Sequence, residues 1–300
     1  MISLNQTIIL NHNSISLSIK REDLLHPHIS GNKFRKLKYN ITTAKEQNHT
    51  QLLTFGGAFS NHIVAVAAAG KEFGFQTIGV IRGEELATQI EDNPSLKFAQ
   101  TCGMILEFVS REQYRHKYEK SAQEFWQKKH GEFFLLPEGG SNVLAVKGCE
   151  EILTKADEVF DYICCAVGTG GTIAGLINSA QPHQKIIGFP ALKGDFLPED
   201  IRKFTANKMG EFITDYHFGG YGKVTPQLIQ FLNDFHDQHH IPLDPIYTGK
   251  MVFGVMDLIE KNYFKKGSNI LLIHTGGLQG IRGINKILSQ KNQPQITYYE

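Results

Sequence analysis

The chain carries almost no excess charge of either sign: 31 lysines and arginines face 30 aspartates and glutamates over 300 residues, for a formal net charge of +1. So weak a field does not recruit nucleic acid or an anionic membrane surface, and the expected partner is a small molecule. No apolar run reaches bilayer-spanning length. The opening MISLNQTIILNHNSISLSIKRED lacks the basic-then-apolar layout of a secretion signal, so a cytoplasmic location is expected. Cysteine is scarce: Cys102, Cys149, Cys164 and Cys165 show no CxxC spacing, and two of them are adjacent inside an apolar run. Neighbours of that kind cannot readily pair, so reduced core thiols are expected. His26 with His28, and His239 with His240, lack the carboxylate company and helical spacing of a zinc site, so no metal is expected. No Pro/Ser-rich linker or low-complexity stretch divides the chain.

What is present is a hydrophobic fraction of 41%, enough for a substantial core. Three segments each show a short apolar run ending in a glycine-rich turn. Gln51 to Phe55 leads into Gly56-Gly57-Ala58-Phe59-Ser60-Asn61, an alanine-rich helix from about His62 to Phe73, and another strand at Thr77 to Ile81. Tyr162 to Val167 leads into Gly168-Thr169-Gly170-Gly171-Thr172 and a helix near Ile173 to Asn178. Asn269 to His274 stops at Thr275-Gly276-Gly277. The pattern predicts α/β architecture around parallel sheets, with ligands held where strands end. Arg111 to Lys129, charged and aromatic at mixed spacing, reads as exposed helix.

Gly168 to Thr172 offers unhindered backbone amides at a helix start, suited to a dianionic phosphate. Thr172-Ile173 stands where a Walker loop needs lysine and a hydroxyl residue, which disfavours a nucleoside triphosphate. Ile173 also replaces the third glycine of a dinucleotide fingerprint, although Asp195 falls near the distance of a ribose-binding acid; NAD is a weak second choice. A glycine turn that only lets helix pack on strand is the plainer alternative. Lys33 follows the turn formers Ser30-Gly31-Asn32 and adjoins the apolar face Phe34, Leu37 and Ile41 of an expected helix, with Lys36 three positions on. A lysine nucleophile must be a free amine, and an apolar edge with other bases nearby lowers its pKa. Ser60, Asn61 and His62 gather a hydroxyl, an amide and an imidazole beside free helix amides, able to bind a carboxylate or to cap the helix.

Taken together, KREDLLHPHISGNKFRKLKY, GGAFSNH, PEGGSN, GTGGTIAGL, DPIYTGK and IHTGG resemble, in order and spacing from about Lys20 to Gly277, the aminocyclopropane-carboxylate deaminase and D-cysteine desulfhydrase family. The resemblance implies pyridoxal phosphate (PLP) as cofactor, fold type II and a homodimer. It implies a large PLP-binding domain of residues 1–44 plus 149–300, with a smaller domain, 45–148, inserted in it. Lys33 is then the Schiff-base lysine, Asn61 lies beside the cofactor's phenolic oxygen, and Gly168, Thr169, Gly170, Gly171 and Thr172 hold the phosphate. Ser60, Asn61 and His62 meet the substrate carboxylate, Tyr247 and Tyr221 face the reacting substrate, and Thr275 partners the pyridine nitrogen.

Thr248 stands where the deaminase branch has a glutamate for that nitrogen. This favours desulfhydrase-like chemistry, D-cysteine to pyruvate, sulfide and ammonia, over cyclopropane opening. The alternatives are the cyclopropane deaminase itself, another β-elimination or racemisation of a small amino acid, and a PLP-binding protein without catalysis. Phe59, Ile63, Val64, Glu138 and Ile173 depart from the residue types usual in the family, which points to a changed pocket.

Overall fold

Aliphatic and β-branched residues fill the strands of two separate sheets in the computed structural model, whose described residues are 2–10, 15–193, 197–205 and 209–298. In spatial order the six-stranded sheet is β1 (Asn5–Ile8), β2 (Ser16–Lys20), β10 (Asn269–Ile273), β7 (Tyr162–Val167), β8 (Lys185–Pro190) and β9 (Glu211–Phe212). The four-stranded sheet is β5 (Ile105–Val109), β4 (Gln76–Arg82), β3 (Gln51–Gly56) and β6 (Phe134–Leu136). All pairings are parallel except β1 with β2. The central strands are buried on both faces, and so they read as continuous apolar runs rather than alternating ones.

The expected architecture, α/β with parallel sheets, is therefore the observed one, and each of the three glycine-ended runs is a strand. Ile273 of β10 lies between Lys20 of β2 and Cys165 of β7, so the turns after β7 and β10 emerge side by side. The run after β10 also leads into a helix, Gly280–Gln290, after a short loop that hides the helical period. One expectation is corrected. Arg111 to Lys129 is not one exposed helix. Ser110 and Gln113 form a capping box on a short helix, Arg111–Arg115, and a second helix, Lys120–His130, starts after a break. Tyr114 and Trp126 from these helices are buried against Phe55 and Val80. Asp195 lies outside the described residues. All four cysteines are free; Cys149, Cys164 and Cys165 are buried and Cys102 is half-buried. Among the described residues no helix is long and apolar enough to cross a membrane.

Helix α1 (Asn32–Glu46) carries Leu37, Ile41 and Ala44 into the core shared with Leu52, Ile63 and Leu136. Its other side is charged and also buried. Arg35 donates to Glu22 at 2.8 and 2.9 Å, and Ser3 donates to the same carboxylate at 2.5 Å. Beside it Lys20 pairs with Asp157 at 2.7 Å and Arg21 with Asp23 at 2.7 Å. The KRED segment is thus an internal ionic girder at the base of α1, because a charge removed from water persists only when paired and hydrogen-bonded. Arg35→Met leaves Glu22 buried and short of its partner, and urea unfolding should report a loss of about 3–5 kcal/mol. Lys38→Met, which breaks an exposed pair with Glu151, should cost no more than about 1 kcal/mol. Equal losses would refute the girder.

Candidate active site

Gly31 determines where the site lies. Its φ is +61°, and a Cβ there would stand 2.0 Å from the Thr275 carbonyl oxygen, so only glycine lets α1 begin directly on the loop that leaves β10. The Asn32 N–H donates to that oxygen at 3.2 Å. Lys33 is thereby held in the first turn of α1 over the ends of β7 and β10. Its amine donates to Asn32 Oδ1 at 2.9 Å, and Asn32 Nδ2 donates to Thr172 Oγ1 at 2.8 Å, which links the lysine to the glycine loop. Burial, with the neighbouring Lys36 charge adding to it, pulls the Lys33 pKa down to about 7.

The glycine loop joins β7 to the helix Gly171–Ser179, and its backbone is bare because side chains do not fit. A Cβ on Gly168 would press on the Tyr247 ring at 3.1 Å, and one on Gly170 (φ +82°) would meet Ile201 at 2.6 Å. One on Gly171 would meet Ser141 Oγ at 2.6 Å and Lys36 Nζ at 3.3 Å. Lys36 donates to the Gly139 carbonyl at 3.0 Å and to Ser141 Oγ at 2.9 Å, and the hydroxyls of Ser141 and Thr169 are 2.6 Å apart. Helix-start amides, three hydroxyls and a buried ammonium form a donor set that fits a phosphate dianion. Lys36, Ser141 and Asn32 were not among the expected site residues. Their signals were the three-residue spacing from Lys33, the PEGGSN string and the turn former before Lys33.

Ser60 caps α2 (Asn61–Phe73), accepting the Ile63 N–H at 3.3 Å. Asn61 lies across the loop after β10, where a Cβ on Gly277 would fall 2.5 Å from its Nδ2. His62 is buried, with Nε2 2.8 Å from Thr54 Oγ1 and Nδ1 enclosed without a partner. Burial, then the charges of Lys33 and Lys36, hold its pKa well below the usual histidine value, so it is neutral. The departing residues Ile63 and Val64 face the core, and Ile173 stands on the cavity wall. Glu138 meets Lys117 at 3.1 Å, and its own N–H donates to Tyr118 Oη at 2.8 Å.

Tyr247 opens the helix Thr248–Glu260 under the control of Asp244, which the sequence reading passed over. One Asp244 oxygen accepts the N–H groups of Ile246 and Tyr247 at 2.9 and 2.7 Å, and the other accepts that of Thr248 at 2.8 Å. The Tyr221 and Tyr247 rings meet edge to face with centroids 6.0 Å apart. Burial, reinforced by Tyr221, raises the Tyr247 hydroxyl well above its usual pKa, so it stays protonated at neutral pH. Thr248 Oγ1 lies 3.3 Å from Thr275 Oγ1.

Lys33, Ser60, Asn61, His62, Gly168, Thr169, Gly170, Thr172, Tyr221, Tyr247 and Thr275 all line one cavity, with Gly171 set just behind its wall against Ser141. Among the described residues no carboxylate side chain lines it. The lowered Lys33 pKa has a kinetic consequence. Condensation of added PLP with the cofactor-free protein, followed by stopped-flow absorbance, should speed up with pH and level off above about 7, because the free amine attacks. A rate still climbing past pH 9 would assign the reaction to an ordinary lysine.

A family model described as pyridoxal-phosphate dependent enzyme matches residues 4–276. The putative 1-aminocyclopropane-1-carboxylate deaminase of Pyrococcus furiosus is 31% identical over 285 residues, spanning 87% of this chain and 84% of its own length. The mitochondrial bifunctional D-cysteine desulfhydrase/1-aminocyclopropane-1-carboxylate deaminase of Arabidopsis thaliana is 28% identical, over 90% of this chain and 74% of its own. A crystal structure of an ACC deaminase homologue superposes with a TM-score of 0.82 at 28% identity, covering 96% of this chain and 94% of that one. With a family match along nearly its whole length and a lysine beside a glycine loop whose donors fit a phosphate, this chain belongs to the pyridoxal-phosphate-dependent enzymes.

Proposed function

We propose that the protein eliminates the β-substituent of a small D-amino acid, D-cysteine before others, which with one water yields hydrogen sulfide, pyruvate and ammonia. The observation that carries this reading is the Thr248–Thr275 hydroxyl pair at the end of β10, in a cavity wall without a carboxylate among the described residues. Asp244, an acid close by, has both oxygens occupied by backbone N–H groups. A hydroxyl does not fix a proton on a pyridine nitrogen as a carboxylate does. The electron sink is weaker, and a good leaving group such as a thiolate demands less of it than a cyclopropane bond.

Bound here, PLP supplies an electrophilic carbon for an amine and a store for the electron pair released at the substrate's α-carbon. The chain's own residues do the rest. The Gly168–Thr172 amides, with Thr169, Ser141 and Lys36, would hold the cofactor's phosphate, and Asn61 and Thr275 would hold its ring. Lys33 anchors the cofactor and, as a free amine near neutrality, takes the α-proton at Nζ. Ser60, Asn61 and His62 orient the carboxylate over the start of α2. Tyr247, protonated at neutral pH as a phenol is, would deliver a proton to the departing sulfur, with Tyr221 beside it.

The relatives' names favour a second reading, opening of 1-aminocyclopropane-1-carboxylate, and a panel separates the two. Sulfide from D-cysteine should exceed both 2-oxobutyrate from the cyclopropane substrate and pyruvate from D-serine; the reverse order overturns the proposal. PLP bound without turnover across D- and L-amino acids would identify a binding protein. Borohydride should trap the cofactor on the peptide holding Lys33. Lys33→Ala should lose the visible absorbance and at least about 100-fold in turnover. The same reading carries a cytoplasmic homodimer with residues 45–148 as the smaller domain, and light scattering would test the dimer.

A further inference from the structure

Lys250 lies in the first turn of the helix Thr248–Glu260, three residues past Tyr247, and has no part in the chemistry above. Its side chain is 2% exposed, yet its partners are backbone carbonyls: Nζ donates to His217 and to Gly220, each at 2.9 Å. Burying an ammonium is costly, and two good acceptors are what make it tolerable. Burial draws its pKa down to about 8 against the pull of Asp244.

The two carbonyls bracket a turn with no regular structure to hold it. Phe218, Gly219, Gly220 and Gly222 have φ of +55°, +92°, +111° and +68°, and Tyr221 sits among them, 45% exposed. Inside the turn, Gly219 N–H donates to His217 Nδ1 at 2.9 Å and Gly220 N–H to the His217 carbonyl at 3.0 Å. Upstream, the Tyr216 hydroxyl donates to Asp257 two turns further along the same helix, at 2.5 Å. Gly254 lies under the Tyr216 ring, where a Cβ would fall at 2.8 Å. One helix therefore carries Tyr247 at its start and holds, through side chains one and three turns in, the segment that presents Tyr221.

We infer that Lys250 is a positioning residue: it clamps the 217–220 turn to the helix that begins at Tyr247 and thereby sets Tyr221 against Tyr247. The clamp itself is independent of the reaction; its effect on turnover rests on the elimination proposed above. Lys250→Met keeps the length and removes the donors, and Lys250→Gln restores a neutral donor.

In the PLP-loaded protein, amide hydrogen exchange at residues 217–223 should be faster by about tenfold or more in Lys250→Met and intermediate in Lys250→Gln. Cofactor absorbance should be unchanged in both. With D-cysteine, Lys250→Met should lower kcat with little change in KM. In a Tyr221→Phe background the same substitution should cost less than about twofold, because the residue it serves is already disabled. Unchanged exchange in the turn overturns the clamp whatever the activity. Losses that multiply with Tyr221→Phe overturn its action through Tyr221. If the methionine variant does not load PLP, the glutamine variant carries the same comparisons. If the wild type turns over no amino acid, the elimination reading fails while the exchange data still decide on the clamp.

Discussion

The close approach of Gly31 to the Thr275 carbonyl is the constraint on which the site depends. It joins the start of α1 to the end of β10, segments separated by most of the chain, with no room for a side chain between them. Once they touch, the first turn of α1 points across the glycine loop. Lys33 then reaches the cavity, Asn32 reaches Thr172 and Lys36 reaches Ser141. A second approach, of Gly148 to the Arg35 carbonyl at 2.0 Å for a Cβ, holds α1 from its far side. The ionic girder of Lys20 to Asp23 fixes the base of that helix, so a helix with few apolar residues is still located firmly.

Electrostatics follow from the same placement. Half-buried Lys33 and buried Lys36 lie within one helical turn of each other, and both lose affinity for their protons. Among the described residues, the wall around them offers hydroxyls, amides and a neutral imidazole rather than acids. Such a pocket is short of negative charge, and it is suited to a ligand that brings phosphate at one end and carboxylate at the other. Lys33 can be a free amine near neutral pH, and on the proposed reading Lys36 would meet the phosphate.

Much of the fold was legible because β3, β7 and β10 are buried on both faces and end in glycine, which leaves an uninterrupted apolar run and a clear stop. The edge strand β1, with the polar sequence NQTI, offers no such run and was not foreseen. Arg111 to Lys129 misled because its charges mask two aromatic residues, Tyr114 and Trp126, whose burial depends on the neighbouring sheet. In the site, the glycine loop and the Ser60–His62 turn were readable from local chemistry. Tyr221 and Thr275 entered through resemblance alone. Asn32, Lys36, Asp244 and Lys250 were missed because a polar side chain reveals its task only when the chain partner, often a backbone atom far away in sequence, is in place.

Phe59, an aromatic residue on the turn after β3, lies so close to the helix Gly280–Gln290 that a Cβ on Gly283 would be 2.4 Å from its ring. Nearby, Lys286 of that helix donates to the Asp92 carbonyl at 3.0 Å. The two sheets are thus riveted together along one flank of the cleft, and a hinge there would have to unpack an aromatic ring. Tyr221, by contrast, lines the cavity half-exposed on its glycine-rich turn. Displacing that turn would therefore disturb fewer buried contacts than parting Phe59 from its helix.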